Sequence, residues 1–310
     1  MGRELTKALC ESILDVMTQN DKVVLVGADL IKTDGLKAVI DTFPERVVNV
    51  GIAEQNMAGV AAGMASYGMI PIINTFAAFA SRRICDQVAI SICYSNQNVK
   101  IIGTDPGITA ELNGGTHMTF EDIGVLRSIP NIMIVEAADS IELKQMVPAI
   151  LEHKGPVYLR MYRKSTPRVH EENYQFKLGK ADLLRTGQDV TILCSGIMVS
   201  EAMEAGKQLG IDGIDAEIIN IHTIKPLDEE AILASAGKTG VIVTCENHNI
   251  LGGLRGAVAE AVTARDPVKI YPVGVKDVKG EVGVLDYLRC RFGLNAEAIV
   301  SAAKKAVSEK

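Results

Sequence analysis

The stretch Val47 to Gly68, VVNVGIAEQNMAGVAAGMASYG, decides the fold. Val47, Val48 and Val50 read as a buried strand, Gly51 as a turn, and the residues from Glu54 onward as a helix with the glutamate in its first turn. Ala58, Gly59, Ala61, Ala62, Gly63 and Ala65 leave that helix almost without side-chain bulk. Each glycine costs a helix about 1 kcal/mol relative to alanine, so the composition predicts a surface against which something packs closely. Glu54 has two readings: a carboxylate placed favourably at a helix N-terminus, or an acid at the floor of a cofactor pocket.

Outward from this centre, apolar runs recur at Val23 to Val26, Ile70 to Asn74, Val99 to Gly103, Ile132 to Val135 and Val157 to Leu159. Helical patterns at Leu5 to Met17, Arg82 to Ser95 and Ser140 to Leu151 alternate with them, which predicts an α/β fold with a mostly parallel sheet covered on both faces. A second alternation follows: strands Val190 to Cys194, Ala216 to Ile219 and Val241 to Thr244, with a helix at Val199 to Leu209. Between the two lies a polar, mixed segment. The expected division is a domain at 1–167, a linker at 168–187 and a smaller α/β domain at 188–310.

Composition sets broad limits. With 47% hydrophobic residues and a net charge of -6, well-buried sheets are expected and nucleic acid is an unsuited partner. No apolar run is long enough for a bilayer. The six cysteines lack metal-like spacing and no signal peptide precedes them, so reduced thiols and a cytoplasmic location are expected. Met1-Gly2 with Thr6 fits a myristoylation pattern formally, but Glu4 and the early helix argue against it.

The Gly51-Ile52-Ala53-Glu54-Gln55-Asn56-Met57 motif is followed by Gly68-Met69-Ile70-Pro71, Thr75-Phe76-Ala77-Ala78-Phe79, Arg83 and Asp86-Gln87. In order and spacing this resembles the pyrimidine-binding domain of the transketolase family of thiamine diphosphate enzymes. The second alternation resembles that family's C-terminal domain. The resemblance implies that Glu54 hydrogen-bonds a ring nitrogen of the cofactor's aminopyrimidine, that Phe79 stacks on that ring and that Phe76 lines the same pocket. Asp29, past the Val23 to Val26 run, matches a position near the cofactor; it reads equally as a turn or helix cap.

Gly114-Gly115-Thr116-His117 resembles the family's glycine-X-threonine-histidine loop, whose histidine donates to the substrate carbonyl oxygen. Thr119 with Asp122 predicts a capping box, with the helix starting there. Arg163 resembles the arginine that holds the substrate's terminal phosphate, and Arg3 and Thr33 fall at other phosphate-side positions, where a surface charge and a turn hydroxyl are the plainer readings. Arg160 is a further candidate that strand alternation points to the other face. Two departures bear on substrate: Asp105 stands where the family has a phosphate-contacting histidine, and Asn113 where it has an aspartate that reads a sugar hydroxyl. Arg82, at a position often aromatic, supplies anion binding from another side in this reading.

The family also needs a GDG motif and a later asparagine to hold Mg²⁺ on the diphosphate, and no GDG occurs in the sequence. The resemblance therefore implies a split enzyme, with this chain as C-terminal subunit and Mg²⁺ held mainly by a separate N-terminal subunit. A second copy of this chain would complete a heterotetramer of two plus two, acting on sugar phosphates by two-carbon ketol transfer. The alternatives are the β subunit of a 2-oxoacid dehydrogenase, with the same two domains, and a non-catalytic subunit retaining the fold.

Overall fold

The computed structural model describes residues 5–310. Arg3 and the Met1-Gly2 pattern lie outside the described residues. Two compact units are present among the described residues: 5–106 with Val125–Leu178, and Gly107–Gly124 with Gly179–Lys310.

In the first unit the elements run α1 (Leu5–Gln19), β1 (Val23–Gly27), α2 (Lys37–Thr42), β2 (Val47–Asn49), α3 (Glu54–Ser66), β3 (Ile70–Phe76), β4 (Lys100–Thr104), α4 (Asp122–Arg127), β5 (Met133–Glu136), α5 (Ser140–Glu152) and β6 (Val157–Met161). Its strands lie in the order β5-β6-β4-β3-β1-β2, all parallel. β1, β4 and β6 are buried throughout, as their near-continuous apolar runs require for a sheet covered on both faces. Leu9, Ile13 and Met17 of α1 join Leu143, Met146 and Ile150 of α5 in the core on one side.

β2 is an edge strand, half-buried rather than buried as its valines suggested. It flanks β1 on one side and β3 flanks it on the other, so the chain order reverses at β1. Open α/β sheets place ligands in the crevice outside the carboxyl ends of strands at such a reversal. Asp29, Glu54 and Phe79 all follow the strands concerned.

The stretch read as a helix from Arg82 to Ser95 is two π-helical segments, Phe79–Arg83 and Gln87–Tyr94. The small-residue face of α3 is turned outward: a side chain at Gly59 or Gly63 would meet nothing of this chain, while Met57, Ala58, Ala61 and Ala62 face inward. The segment 168–178 is held by the first unit, where Phe176 and Leu178 pack on the core and Asp139 accepts from Val169 N and His170 N, each at 2.9 Å.

The second unit continues with β7 (Asp182–Arg185), β8 (Val190–Cys194), α6 (Met198–Ile211), β9 (Ala216–Asn220), β10 (Thr223–Lys225), α7 (Glu229–Thr239), β11 (Val241–Asn249), α8 (Leu254–Thr263), β12 (Lys269–Val275), α9 (Leu285–Phe292) and α10 (Ala296–Ser308). Its sheet runs β12-β11-β8-β9-β7, parallel except for β7. Asn247, near the end of β11, accepts from Ile108 N at 3.0 Å, which ties the segment 107–124 to this unit. The capping box expected of Thr119 does not form. Phe120 N donates instead to Glu121 Oε2 at 2.7 Å, the Thr119 hydroxyl has no partner, and α4 starts at Asp122.

Candidate active site

Glu54 opens α3, where the unpaired N–H groups of the first turn favour a carboxylate. It is buried, at the edge of a cavity of about 550 Å³ lined by Ile52, Ala53, Glu54, Gln55, Asn56 and Arg83. Arg83 Nη1 donates to Glu54 Oε1 at 2.6 Å. The same guanidinium lies over the Phe79 ring, 3.7 Å from its centroid. Phe79 and Arg83 are the two ends of one π-helical segment directly after β3, and departures of this kind from α-helical pairing concentrate at functional sites. Arg82 on the same segment is exposed.

Phe76 ends β3, with its ring centroid 5.8 Å from that of Phe79. On its other side the Arg163 guanidinium sits 4.8 Å from the Phe76 centroid. Arg163 is closely held. Its Nε donates to Asp105 Oδ2 at 2.6 Å, its Nη1 to Asp34 Oδ1 at 2.9 Å and to the Thr33 carbonyl at 3.2 Å. Its Nη2 lies 2.5 Å from Asp105 Oδ2. Asp105 has a left-handed backbone (φ 52) that turns it back onto the end of β6, where its Oδ1 also accepts from Arg163 N at 3.1 Å. Asp34 is buried; burial pushes its carboxyl up to about 6, against the pull of Arg163 and with the push of Asp105.

The first unit thus joins Glu54, Phe79, Phe76, Arg163, Asp105 and the Thr33 carbonyl into one run of contacts. It separates Asp29, which lines another cavity of about 270 Å³ with Lys32 and Asn49, and whose backbone N–H donates to Asn49 Oδ1 at 2.9 Å. Arg160 is fully buried and paired with Glu136 on the neighbouring strand, a structural ion pair. Sequence reasoning left Arg83 without a role and passed over Asp34. Arg83 carried a signal, since it stands four residues after Phe79, the spacing of neighbours on a helical face. Asp34 carried none.

Matches to known families now bear on this geometry. The model of the transketolase pyrimidine binding domain matches residues 2–168, and that of the transketolase C-terminal domain matches residues 179–299. The chain belongs to the transketolase family. Its similarity to two subunit-length relatives extends over more than nine-tenths of each. It is 50% identical over 298 residues to the 6-deoxy-6-sulfo-D-fructose transketolase subunit SqwH of Clostridium sp. (strain MSTE9), covering 96% of this chain and 92% of the relative. It is 39% identical to a putative transketolase C-terminal section of Methanocaldococcus jannaschii, covering 98% and 96%. Among solved structures, a split gene transketolase described as an inactive beta4 tetramer matches with a TM-score of 0.92 at 38% identity, covering 99% of both chains.

In a transketolase the pyrimidine domain must hold one end of thiamine diphosphate, and the residues present fit that end. A buried acid stands at an open cavity beside a half-buried aromatic face. At the carboxyl end of β3, Asn74 and Thr75 also have buried side-chain polar atoms without a partner among the described residues. No group of three or more His, Cys, Asp or Glu among the described residues is placed to hold a metal ion, and no helix among them is long and apolar enough to cross a membrane.

The Gly114-Gly115-Thr116-His117 loop lies in the second unit. Half-buried His117 ends a turn in which its N–H donates to the Gly114 carbonyl at 3.0 Å, and its Nδ1 is 2.9 Å from Thr116 Oγ1. The loop rests on Gly280, whose carbonyl leaves no room for a side chain at Gly115. Asn113, just before this loop, is exposed.

Proposed function

We propose that this chain is the C-terminal subunit of a two-subunit transketolase, moving a two-carbon ketol unit from a ketose with an anionic terminus to an aldose acceptor. The observation that carries the proposal is the buried Glu54 at an open cavity with Phe79 beside it, in a chain similar over nearly its full length to transketolase subunits.

Thiamine diphosphate, when bound, supplies the carbanion chemistry. Glu54 holds a hydrogen bond at a ring nitrogen and so governs where the ring's protons sit, while Phe79 and Phe76 give a flat apolar wall that keeps water from the reacting centre. His117 donates to the substrate carbonyl oxygen. Arg163 orients the anionic terminus, with Asp105 and Asp34 fixing its position and reducing its charge. That reduced charge, with the name of the 50% identical relative, favours a sulfonate over a phosphate at the terminus. A sulfonate carries one negative charge and a phosphate close to two, so the two carboxylates oppose the phosphate more. Asn113 and Arg82 remain candidates for sugar contacts, and Asp29 for a contact at the cofactor's edge.

The remainder of the cofactor site, including Mg²⁺ on the diphosphate, falls to an N-terminal partner subunit in this proposal. In support, α3 and the segment Gln87–Tyr94 leave Tyr67 92% and Tyr94 83% exposed beside the open glycine face. Exposed apolar surface of this kind marks association, with that partner or a second copy of the chain in a two-plus-two assembly. A cytoplasmic setting belongs to the same reading, in keeping with six cysteines held as thiols rather than disulfides.

Calorimetry with thiamine diphosphate and Mg²⁺ tests the proposal, first on this chain and then on its mixture with an N-terminal transketolase subunit. Tight binding confined to the mixture, followed by turnover of 6-deoxy-6-sulfo-D-fructose, is the expected result. Tight binding by this chain alone contradicts the division of labour, and turnover of fructose 6-phosphate in preference to the sulfosugar contradicts the choice of terminus.

A further inference from the structure

One side chain occupies both contacts on which the ring site depends. Arg83 donates to Glu54 Oε1 at 2.6 Å and stacks its guanidinium 3.7 Å from the Phe79 centroid. A guanidinium is flat, cationic and edged with N–H donors around an N–C–N unit. An aminopyrimidine asks the protein for the same pair of contacts, a carboxylate at one ring edge and an aromatic face against the ring plane.

We infer that Arg83 is a stand-in for the aminopyrimidine, occupying the ring seat of the free site and yielding it when the cofactor enters. The inference rests on the proposed reading of Glu54 and Phe79 as the ring site. Three features of the chain suit Arg83 to that part. Its side chain is 43% exposed whereas that of Glu54 is 4% exposed, so the arginine can withdraw into solvent while the acid stays fixed. The cavity that Arg83 lines gives it a space into which to withdraw and gives the ring a way in. Phe79 and Arg83 also end one short π-helical segment, so a rotamer change at Arg83 uncovers Phe79 without moving the sheet.

While Arg83 is seated, the buried carboxylate has a counter-charge and the aromatic face is covered, which keeps the acid's geometry ready at a low cost in solvation. The consequence is competition. Cofactor entry must break the Arg83 contacts, so the intrinsic affinity of the seat is reduced by the fraction of molecules in which Arg83 holds it.

The test compares wild type, Arg83→Met, Arg83→Ala and Arg83→Lys, each assembled with the N-terminal transketolase subunit. Thiamine diphosphate with Mg²⁺ is titrated by calorimetry, and association is followed by stopped-flow circular dichroism. Arg83→Met keeps an apolar stem over Phe79 but frees Glu54, and is expected to bind about tenfold tighter, with faster association. Arg83→Lys keeps a cation for Glu54 without a flat face, and falls between wild type and Arg83→Met. Thermal unfolding of each assembly separates a folding defect from a site effect, and Arg83→Lys serves as the readout if the shorter variants unfold. Equal or weaker cofactor binding by the folded variants overturns the stand-in and leaves the proposed function intact. Absence of binding by the wild-type assembly overturns both.

Discussion

Asp34 makes the charge around Arg163 depend on pH, and that dependence has a sign and a size. Burial pushes its carboxyl up to about 6, opposed by Arg163 and aided by Asp105. Above that pH one guanidinium faces two carboxylates, and below it Asp34 is neutral and holds Arg163 by a hydrogen bond alone. An anion on the open side of the guanidinium sits about 7 Å from the Asp34 carboxylate, where one unit charge amounts to about 2 kcal/mol at an effective dielectric near 20. Arg163 is 20% exposed, so solvent and salt reduce this to about 1 kcal/mol, about fivefold in KM. The assay is KM for a sulfonate-bearing ketose from about pH 5 to about pH 8, since a phosphate would itself titrate near 6. Wild type should bind more tightly as pH falls through about 6, and Asp34→Asn should be tight and flat throughout. A flat wild-type profile, or an inflection that survives in Asp34→Asn, would refute the reasoning. The stability sign agrees. A raised carboxyl means the folded chain keeps the proton longer, so stability falls by on the order of 3 kcal/mol as pH rises from about 4 through about 6, and Asp34→Asn should lack that fall.

Three further predictions concern other parts of the first unit. Glu54→Gln should lower turnover at least about a hundredfold while the cofactor's Kd moves by less than about tenfold; equal losses in both would make the acid a holder rather than a proton partner. Arg163→Ala should raise KM for anionic ketoses about tenfold with little change in kcat, and an unchanged KM removes Arg163 from the substrate site. Although burial acts to raise it, the Asp139 carboxyl is held down at about 2 by His170 and by the N–H groups that donate to it. That stability is present above about pH 4 and lost as pH falls toward about 2, so Asp139→Asn should cost about 2 kcal/mol at neutral pH in urea titrations, in a gap that closes in acid.

Most of the fold was legible because both sheets are mostly parallel and their central strands are buried. β1, β3, β4, β6 and β8 appear in the sequence as near-continuous apolar runs, and each run lies within a residue or two of its strand. What the sequence could not show is position within the sheet. Val47 and Val48 look like any central strand, and only the reversal of order at β1 leaves them on an edge. The π-helical segments were also invisible, since the shift of one residue in hydrogen bonding from Phe79 to Tyr94 leaves the apolar spacing close to that of an α-helix. Thr119 shows the converse, a matched cap pattern with no cap. The Thr119 hydroxyl is buried without a partner, and the nearby Glu121 carboxylate accepts from Phe120 N.

The site divides along a similar line. Glu54, Phe76, Phe79 and His117 entered the candidate site because each belongs to a local motif, whereas the side chains that contact Glu54 and Arg163 come from elsewhere in the chain. Asp34 and Arg163 are 129 residues apart, and Arg83 and Glu54 are 29 apart. Asp105 is the instructive case. As a sequence letter it was an acid where a donor was expected, which suggested direct discrimination at the substrate. In the structure both of its oxygens are engaged by Arg163, whose side chain also reaches Asp34. In the proposed reading Asp105 therefore acts through the arginine, offsetting the positive charge that meets an incoming anion. Adding a donor at position 105 without also removing Asp34 would leave a buried carboxylate still drawing on Arg163, so a change of preferred terminus should require both positions to change together.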